Sequence, residues 1–195
     1  PLTHLLLVAI IVLVVEGDVL SPRRLLVVGL LAGLCVLTRM DTLLLVAPPL
    51  TWLAWRAPRP RRLAALAAGF VPFVLWEVFA TLYYGSPLPN TAPAKLGTGI
   101  PAGELLSQGL YYLTHTARQD PVTLGALALG LLFALWRPSP WRVAWAIGAV
   151  AYLLYVAKIG GDFMAGRMLT APLAVALAWL ARSEGPPVRA ARGIA

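Results

Sequence analysis

Seven apolar runs, at roughly 2–15, 25–37, 43–55, 63–84, 121–136, 143–157 and 169–181, follow one another with clusters of proline, glycine and arginine between most of them. Helices end at such clusters, because proline lacks an amide donor and glycine leaves the α region at little cost. A chain punctuated this way has few ways to fold in water. A soluble core needs a polar shell, and only 12% of this sequence is charged against 59% hydrophobic, about half the charged share of ordinary soluble domains. The pattern predicts an all-α fold, a polytopic transmembrane helical bundle forming a single domain over 1–195.

Run length adds a constraint. A bilayer core of about 30 Å takes about 20 helical residues, and only 63–84 is comfortably that long. The shorter runs must recruit flanking residues or be half-helices sheltered by neighbours. Six to seven helical segments are expected, some short or re-entrant. Residues 25–55, two short runs flanking TRMD (38–41), read either as a hairpin of tilted helices or as a re-entrant segment.

Positive charge sets the orientation. SPRR (21–24), RAPRPRR (56–62), RPSPWR (137–142) and the tail from 182 hold most of the 16 basic residues, and such loops favour the cytoplasmic side. Loops 85–120 and 158–168 are then external and the 182–195 tail is cytoplasmic. The net charge of +8 is explained by this topology, not by nucleic acid, whose footprint is a basic face on a folded domain. Leu105, Leu106, Gly109, Leu110, Tyr112 and Leu113 recur at helical spacing, which predicts a short amphipathic helix on the membrane surface within 85–120, or else a loop packed on the protein.

Against this background the charges outside the basic loops stand out. In KIGGDFMAGRMLTAP (158–172), Gly160 and Gly161 permit a tight turn, Asp162 can accept hydrogen bonds from backbone or ligand hydroxyls, and Arg167 presents a planar fork suited to phosphate. An Asp162–Arg167 ion pair, or a helix cap with a snorkelling arginine, accounts for the same residues; Lys158 belongs to the cluster. In YYGSPLPNTAPAK (83–95), Pro87, Pro89 and Pro93 stiffen the backbone and fix where Asn90, Thr91 and Lys95 point. That array suits a sugar or a phosphate, or is a loop facing water. TRMD supplies Arg39 and Asp41. Glu77, inside the longest run, is a functional candidate by position alone, or a partner for a neighbouring helix.

His4 and His115 are isolated, and neither has metal-ligand spacing. Asp41, Asp120 and Asp162 show no spacing that forces a metal site, so no metal or other cofactor is assigned. Cys35, the single cysteine, excludes an internal disulfide. There is no phosphate-binding Gly-rich loop, no HExxH, no CxxC and no GxSxG, which argues against a soluble-style ATPase, zinc protease or serine hydrolase. The chain opens Pro1-Leu2-Thr3-His4 without the features of a signal peptide, and it reads as a fragment.

The order TRMD, then YYGSPLPNTAPAK, then GGDFMAGRMLTAPL resembles the downstream membrane half of bacterial C-type (GT-C) glycosyltransferases. More narrowly it resembles the AftB/ZomB group of terminal arabinofuranosyltransferases and motor-control proteins, over most of 25–175. The resemblance implies a multi-pass protein of the bacterial cytoplasmic membrane with an external active site. There a sugar passes from a polyprenyl-phosphate donor to a cell-envelope glycan or other acceptor with inversion. It places the carboxylate base upstream of Pro1, Arg167, Lys95 and Arg39 on the donor phosphate, and Asp162 and Asn90 on the sugar. Asp41, which would orient Arg39, Thr91 and Glu77 are supporting residues, and the short helices of 25–55 would leave a lateral groove for the polyprenyl chain. A non-catalytic membrane scaffold or motor-control protein of the same fold, and a lipid or solute transporter, are the competing classes. A transporter should carry an internal repeat and such intramembrane charges on both faces of its pathway, and neither is visible.

Overall fold

The computed structural model describes residues 1–15, 21–89, 92, 97–136 and 138–181. Among these there are nine α-helices and no strand: α1 Leu2–Val15, α2 Pro22–Thr38, α3 Leu43–Arg56, α4 Pro60–Ala68, α5 Val71–Tyr84, α6 Ala102–Gln119, α7 Pro121–Trp136, α8 Pro140–Lys158 and α9 Thr170–Ala181. Short 3₁₀ turns at Met40–Thr42 and Arg167–Leu169 precede α3 and α9. Proline opens α2, α4, α7 and α8, where its missing N–H removes no hydrogen bond.

Nine helices exceed the six or seven expected, for two reasons. The loop 85–120 is helical over half its length, and the run 63–84 is two helices bent by 51°. Pro72 cannot donate to the Ala68 carbonyl, so the helical ladder is interrupted there. Gly69 meanwhile lies against the backbone of α2, where a Cβ would run into Gly29, Leu30 and the Leu26 carbonyl. The bend lets α4 lie on α2 while α5 turns away. Pro140–Lys158, at 19 residues, is the one described helix long and apolar enough to cross a membrane, and counting each bent pair (α4 with α5, α6 with α7) as one span gives up to three.

Tight helix contacts run through small residues, as expected where bilayer and helix surfaces are equally apolar and close packing is the main attraction left. Gly29 faces the Leu66 carbonyl across α2 and α4, Gly109 faces Ala157 across α6 and α8, and Gly130 meets Ala176 across α7 and α9. The most extensive pairing is α3 with α8. Pro48 and Pro49 leave the Leu44 and Leu45 carbonyls without their helical N–H partners, and Gly148 lets α8 close onto those carbonyls. Trp145, Tyr152 and Trp179 are the largest buried side chains of the core. By contrast α2 and α3 share few contacts: they are two helices joined at Arg39, each packed on other partners.

The helix expected within 85–120 is α6. Tyr112 and Gly109 are buried against the bundle, while Leu106, Leu110 and Tyr111 are exposed. It packs on α8 and turns by 107° into α7. Asp120 caps α7, accepting hydrogen bonds from the Thr123 N–H at 3.1 Å and hydroxyl at 2.6 Å, which gives this carboxylate a structural role.

Candidate functional site

The end of α2 is built around one carbonyl. Cys35 O accepts the Arg39 N–H at 3.1 Å, the Thr38 hydroxyl at 2.7 Å and the Thr42 hydroxyl at 3.1 Å. The single Thr42 hydroxyl proton is shared with the Arg39 carbonyl, the nearer acceptor at 2.7 Å. These bonds stop the helix and hold Arg39 extended, at φ −158° and ψ 111°. Its guanidinium then grips Asp41 with two hydrogen bonds, Nε to Oδ1 at 3.1 Å and Nη2 to Oδ2 at 2.6 Å. Tyr152, fully buried on α8, closes the triangle: its hydroxyl accepts from Arg39 Nη2 at 2.8 Å and donates to Asp41 Oδ2 at 3.0 Å. Burial alone would lower the pKa of Arg39, and the Asp41 hydrogen bonds and the neighbouring Tyr152 outweigh it, so the pKa lies above its ordinary value.

The second cluster is shaped by glycine. Gly161, at φ +76°, turns the chain after α8, and a Cβ there would enter the Tyr112 ring, so the turn needs glycine on two counts. The Tyr112 hydroxyl accepts the Met168 N–H at 3.2 Å and donates to the Met164 carbonyl at 3.3 Å, tying the 3₁₀ turn to α6. Asp162 and Arg167 form an ion pair, Nε to Oδ2 at 3.1 Å, with the carboxylate only 4% exposed and the guanidinium 49% exposed. The guanidinium also lies over the Phe163 ring, 5.6 Å from its centre. Arg167 is therefore backed by an acid and an aromatic ring and keeps its outer edge open.

Both clusters meet at one cavity of about 710 Å³, walled by Arg39 and Asp41, by Trp76, Glu77 and Tyr84 of α5, by Tyr155 of α8, and by Arg167 and Met168. Its rim is the strap Ser86–Pro89 with Ala92. Of the residues singled out from sequence, Arg39, Asp41, Glu77 and Arg167 stand on this wall. Asp162 sits behind Arg167, while Lys158 is exposed at the end of α8 and is not part of the wall. Asn90, Thr91 and Lys95 lie outside the described residues, between or just beyond strap positions that line the cavity.

Each arginine commits part of its fork to a carboxylate. No partner is present among the described residues for Arg39 Nη1 or Arg167 Nη2. Two planar cations with spare donors suit a phosphate or another oxyanion. Glu77 adds the opposite need: its Oε1 is buried and has no hydrogen-bond partner among the described residues. A buried acceptor left empty is destabilising, and a ligand hydroxyl would fill it. No group of three or more His, Cys, Asp or Glu among the described residues is placed to hold a metal. His115 is half-buried and stacks on Tyr111 at 5.8 Å, away from the cavity wall.

Sequence reasoning missed Tyr152, Trp76, Tyr84 and Tyr155. A signal existed for two of them, since AYLLYVAK puts two tyrosines three residues apart in an otherwise apolar run. Nothing in the sequence tied them to TRMD, more than a hundred residues earlier.

The chain is 36% identical, over an alignment of 175 positions that covers 75% of its length, to a protein of Mycobacterium tuberculosis named terminal β-(1→2)-arabinofuranosyltransferase. It is 31% identical, over an alignment of 141 positions that covers 60% of its length, to a protein of the same name from Corynebacterium glutamicum. It spans 27% and 19% of the lengths of these two relatives. No family model matches the chain, and no solved structure matches it. The resemblance to the AftB-like group is thus a sequence relationship covering most of the chain.

Proposed function

We propose, taking kinship with the terminal arabinofuranosyltransferases as premise, that this chain is the donor-binding part of a membrane glycosyltransferase. Its donor is a polyprenyl-phosphate sugar, arabinofuranose first among the candidates. Its acceptor is a cell-envelope glycan, reached on the outer face of the cytoplasmic membrane. The observation that carries this reading is the convergence of Arg39 and Arg167, each backed by an aspartate, with the unsatisfied carboxylate of Glu77 on one cavity.

In this reading the bond from the anomeric carbon to the phosphate oxygen breaks and its electron pair stays on the phosphate. Arg39 Nη1 and Arg167 Nη2 stabilise the charge that grows there, and fixed donors in a partly dry cavity need little reorganisation to do so. Asp41 and Tyr152 lock Arg39, and Asp162 and Phe163 lock Arg167. Glu77 accepts a hydrogen bond from a sugar hydroxyl. Asn90, Thr91 and Lys95 are assigned to the same ligand on the sequence resemblance alone. The general base that takes the acceptor's proton is assigned to a carboxylate outside this chain, and the inversion that such a base would bring about is assigned there with it.

The test is transfer of radiolabelled sugar from a polyprenyl-phosphate donor by the intact protein in detergent. Arg167→Ala is expected to lower kcat/KM by roughly tenfold to a hundredfold, the range for losing charge-assisted hydrogen bonds. Unchanged transfer and unchanged donor affinity in that variant would remove the phosphate role. Neither transfer nor donor binding over arabinofuranosyl and hexosyl donors would favour the scaffold or transporter classes.

A further inference from the structure

A second cavity lies at the opposite end of the α3–α8 pair and shares no residue with the first. The two helices run antiparallel in register: Asp41 meets Tyr152, Gly148 lies on the Leu45 carbonyl, and Trp52 and Trp55 share a groove with Pro140, Val143 and Ile147. The groove is therefore formed by the last turns of α3 and the first turns of α8, where Pro48 and Pro49 interrupt the α3 ladder. Its volume is about 520 Å³, within the size range of small-molecule and lipid pockets, about 300–1,000 Å³. The one hydroxyl on its wall, Thr51, donates back to the Ala47 carbonyl at 2.9 Å. The walls offer a ligand apolar surface.

The mouth has a different character. Trp55 is 80% exposed and is followed in sequence by Arg56, Arg59, Arg61 and Arg62. Neither 43–68 nor 138–161 contains an acid. An exposed indole marks headgroup level in a bilayer, and a juxtamembrane arginine cluster attracts anionic lipid. Charge alone would orient the protein without a binding site. An apolar groove that ends at Trp55, next in the chain to the first of these arginines, supplies the rest.

We propose that this groove binds one anionic glycerophospholipid from the leaflet facing the basic loops. An acyl chain lies between Trp52 and Ile147, and the phosphate is held by the arginines that follow Trp55. The occupant is a lipid and not a free phosphate, because the apolar walls contribute only if a hydrocarbon chain enters.

The experiment is native mass spectrometry of the detergent-purified intact protein, titrated in parallel with phosphatidylglycerol and phosphatidylcholine. Native protein is expected to retain phosphatidylglycerol with roughly tenfold preference. Replacing Arg56, Arg59 and Arg61, all three exposed, together by Gln should bring the two lipids level without loss of thermal stability. Ile147→Trp, at a site 55% exposed, should fill the groove and reduce phosphatidylglycerol retention severalfold while every arginine remains. Equal retention of both lipids by native protein overturns the proposal. So does an Ile147→Trp variant that binds phosphatidylglycerol normally, or displacement of the lipid by glycerol 1-phosphate alone.

Discussion

Tyr152 is the side chain on which the geometry of the first cavity turns. Its hydroxyl bonds both Arg39 and Asp41, and an ion pair with a third polar anchor holds one orientation where an isolated pair would swing. Tyr152→Phe keeps the ring in the core and removes the anchor. Stability is expected to fall by about 1 kcal/mol, one net hydrogen bond, while donor KM rises severalfold and kcat changes little. A variant with native donor KM would show that Asp41 alone positions Arg39. Arg39→Lys keeps the charge and loses the fork, so transfer should drop at least about tenfold; a native rate would show that a point charge suffices. Arg39, Asp41, Glu77 and Arg167 could be picked from sequence because an ionisable group in an apolar chain is conspicuous. Tyr152 could not, since a tyrosine in a membrane helix is unremarkable until its partner is known. The sequence allows an Asp162–Arg167 pair and equally a pair of separate ligand contacts, and only three-dimensional placement puts Asp162 behind its partner.

At the scale of elements, helix ends were legible wherever proline or a charge cluster coincided with the end of an apolar run. The runs 2–15 and 121–136 are α1 and α7 to the residue. The break at Gly69 and Phe70 was legible only in part: Pro72 marks the interrupted ladder in the sequence, but the contact that presses Gly69 onto α2 lies across the bundle. The same kind of contact joins α3 to α8. Gly148→Val would drive a branched side chain into the Leu45 carbonyl, and the two prolines of α3 leave that stretch of backbone little freedom to retreat. Overpacking of this sort costs about 1–3 kcal/mol, so the variant should melt several degrees lower. Gly125→Val, at a position with open space around it, is the matched control. Equal melting of the two variants would show that the α3–α8 approach is not tight in solution.

For the whole molecule, the antiparallel α3–α8 register places the two cavities at opposite ends, one with acid-backed arginines and one whose own segments, 43–68 and 138–161, carry arginines and no acid. Helix α3 alone, at 14 residues and about 1.5 Å per residue, separates these ends by about 21 Å. That is less than the hydrocarbon thickness of a bilayer, about 30 Å, so the ends reach both headgroup regions only if residues beyond the helix, 39–42 on one side and 57–59 on the other, extend the span. The sidedness inferred from basic loops can then be tested directly. Cys35 is fully buried, so it should resist labelling and leave introduced cysteines as clean reporters. In intact cells, Ala165→Cys in the turn before Arg167 should react with a membrane-impermeant maleimide. Pro58→Cys in the basic loop should react only after permeabilisation. Labelling of Pro58→Cys but not Ala165→Cys in intact cells would place the acid-backed arginines on the cytoplasmic side. Activated water-soluble sugar donors are available there, and the need for a lipid-borne donor would fall with the topology. Agreement would instead leave the arginine cavity facing the compartment where a lipid-borne phosphate is the donor chemistry that the fold can reach.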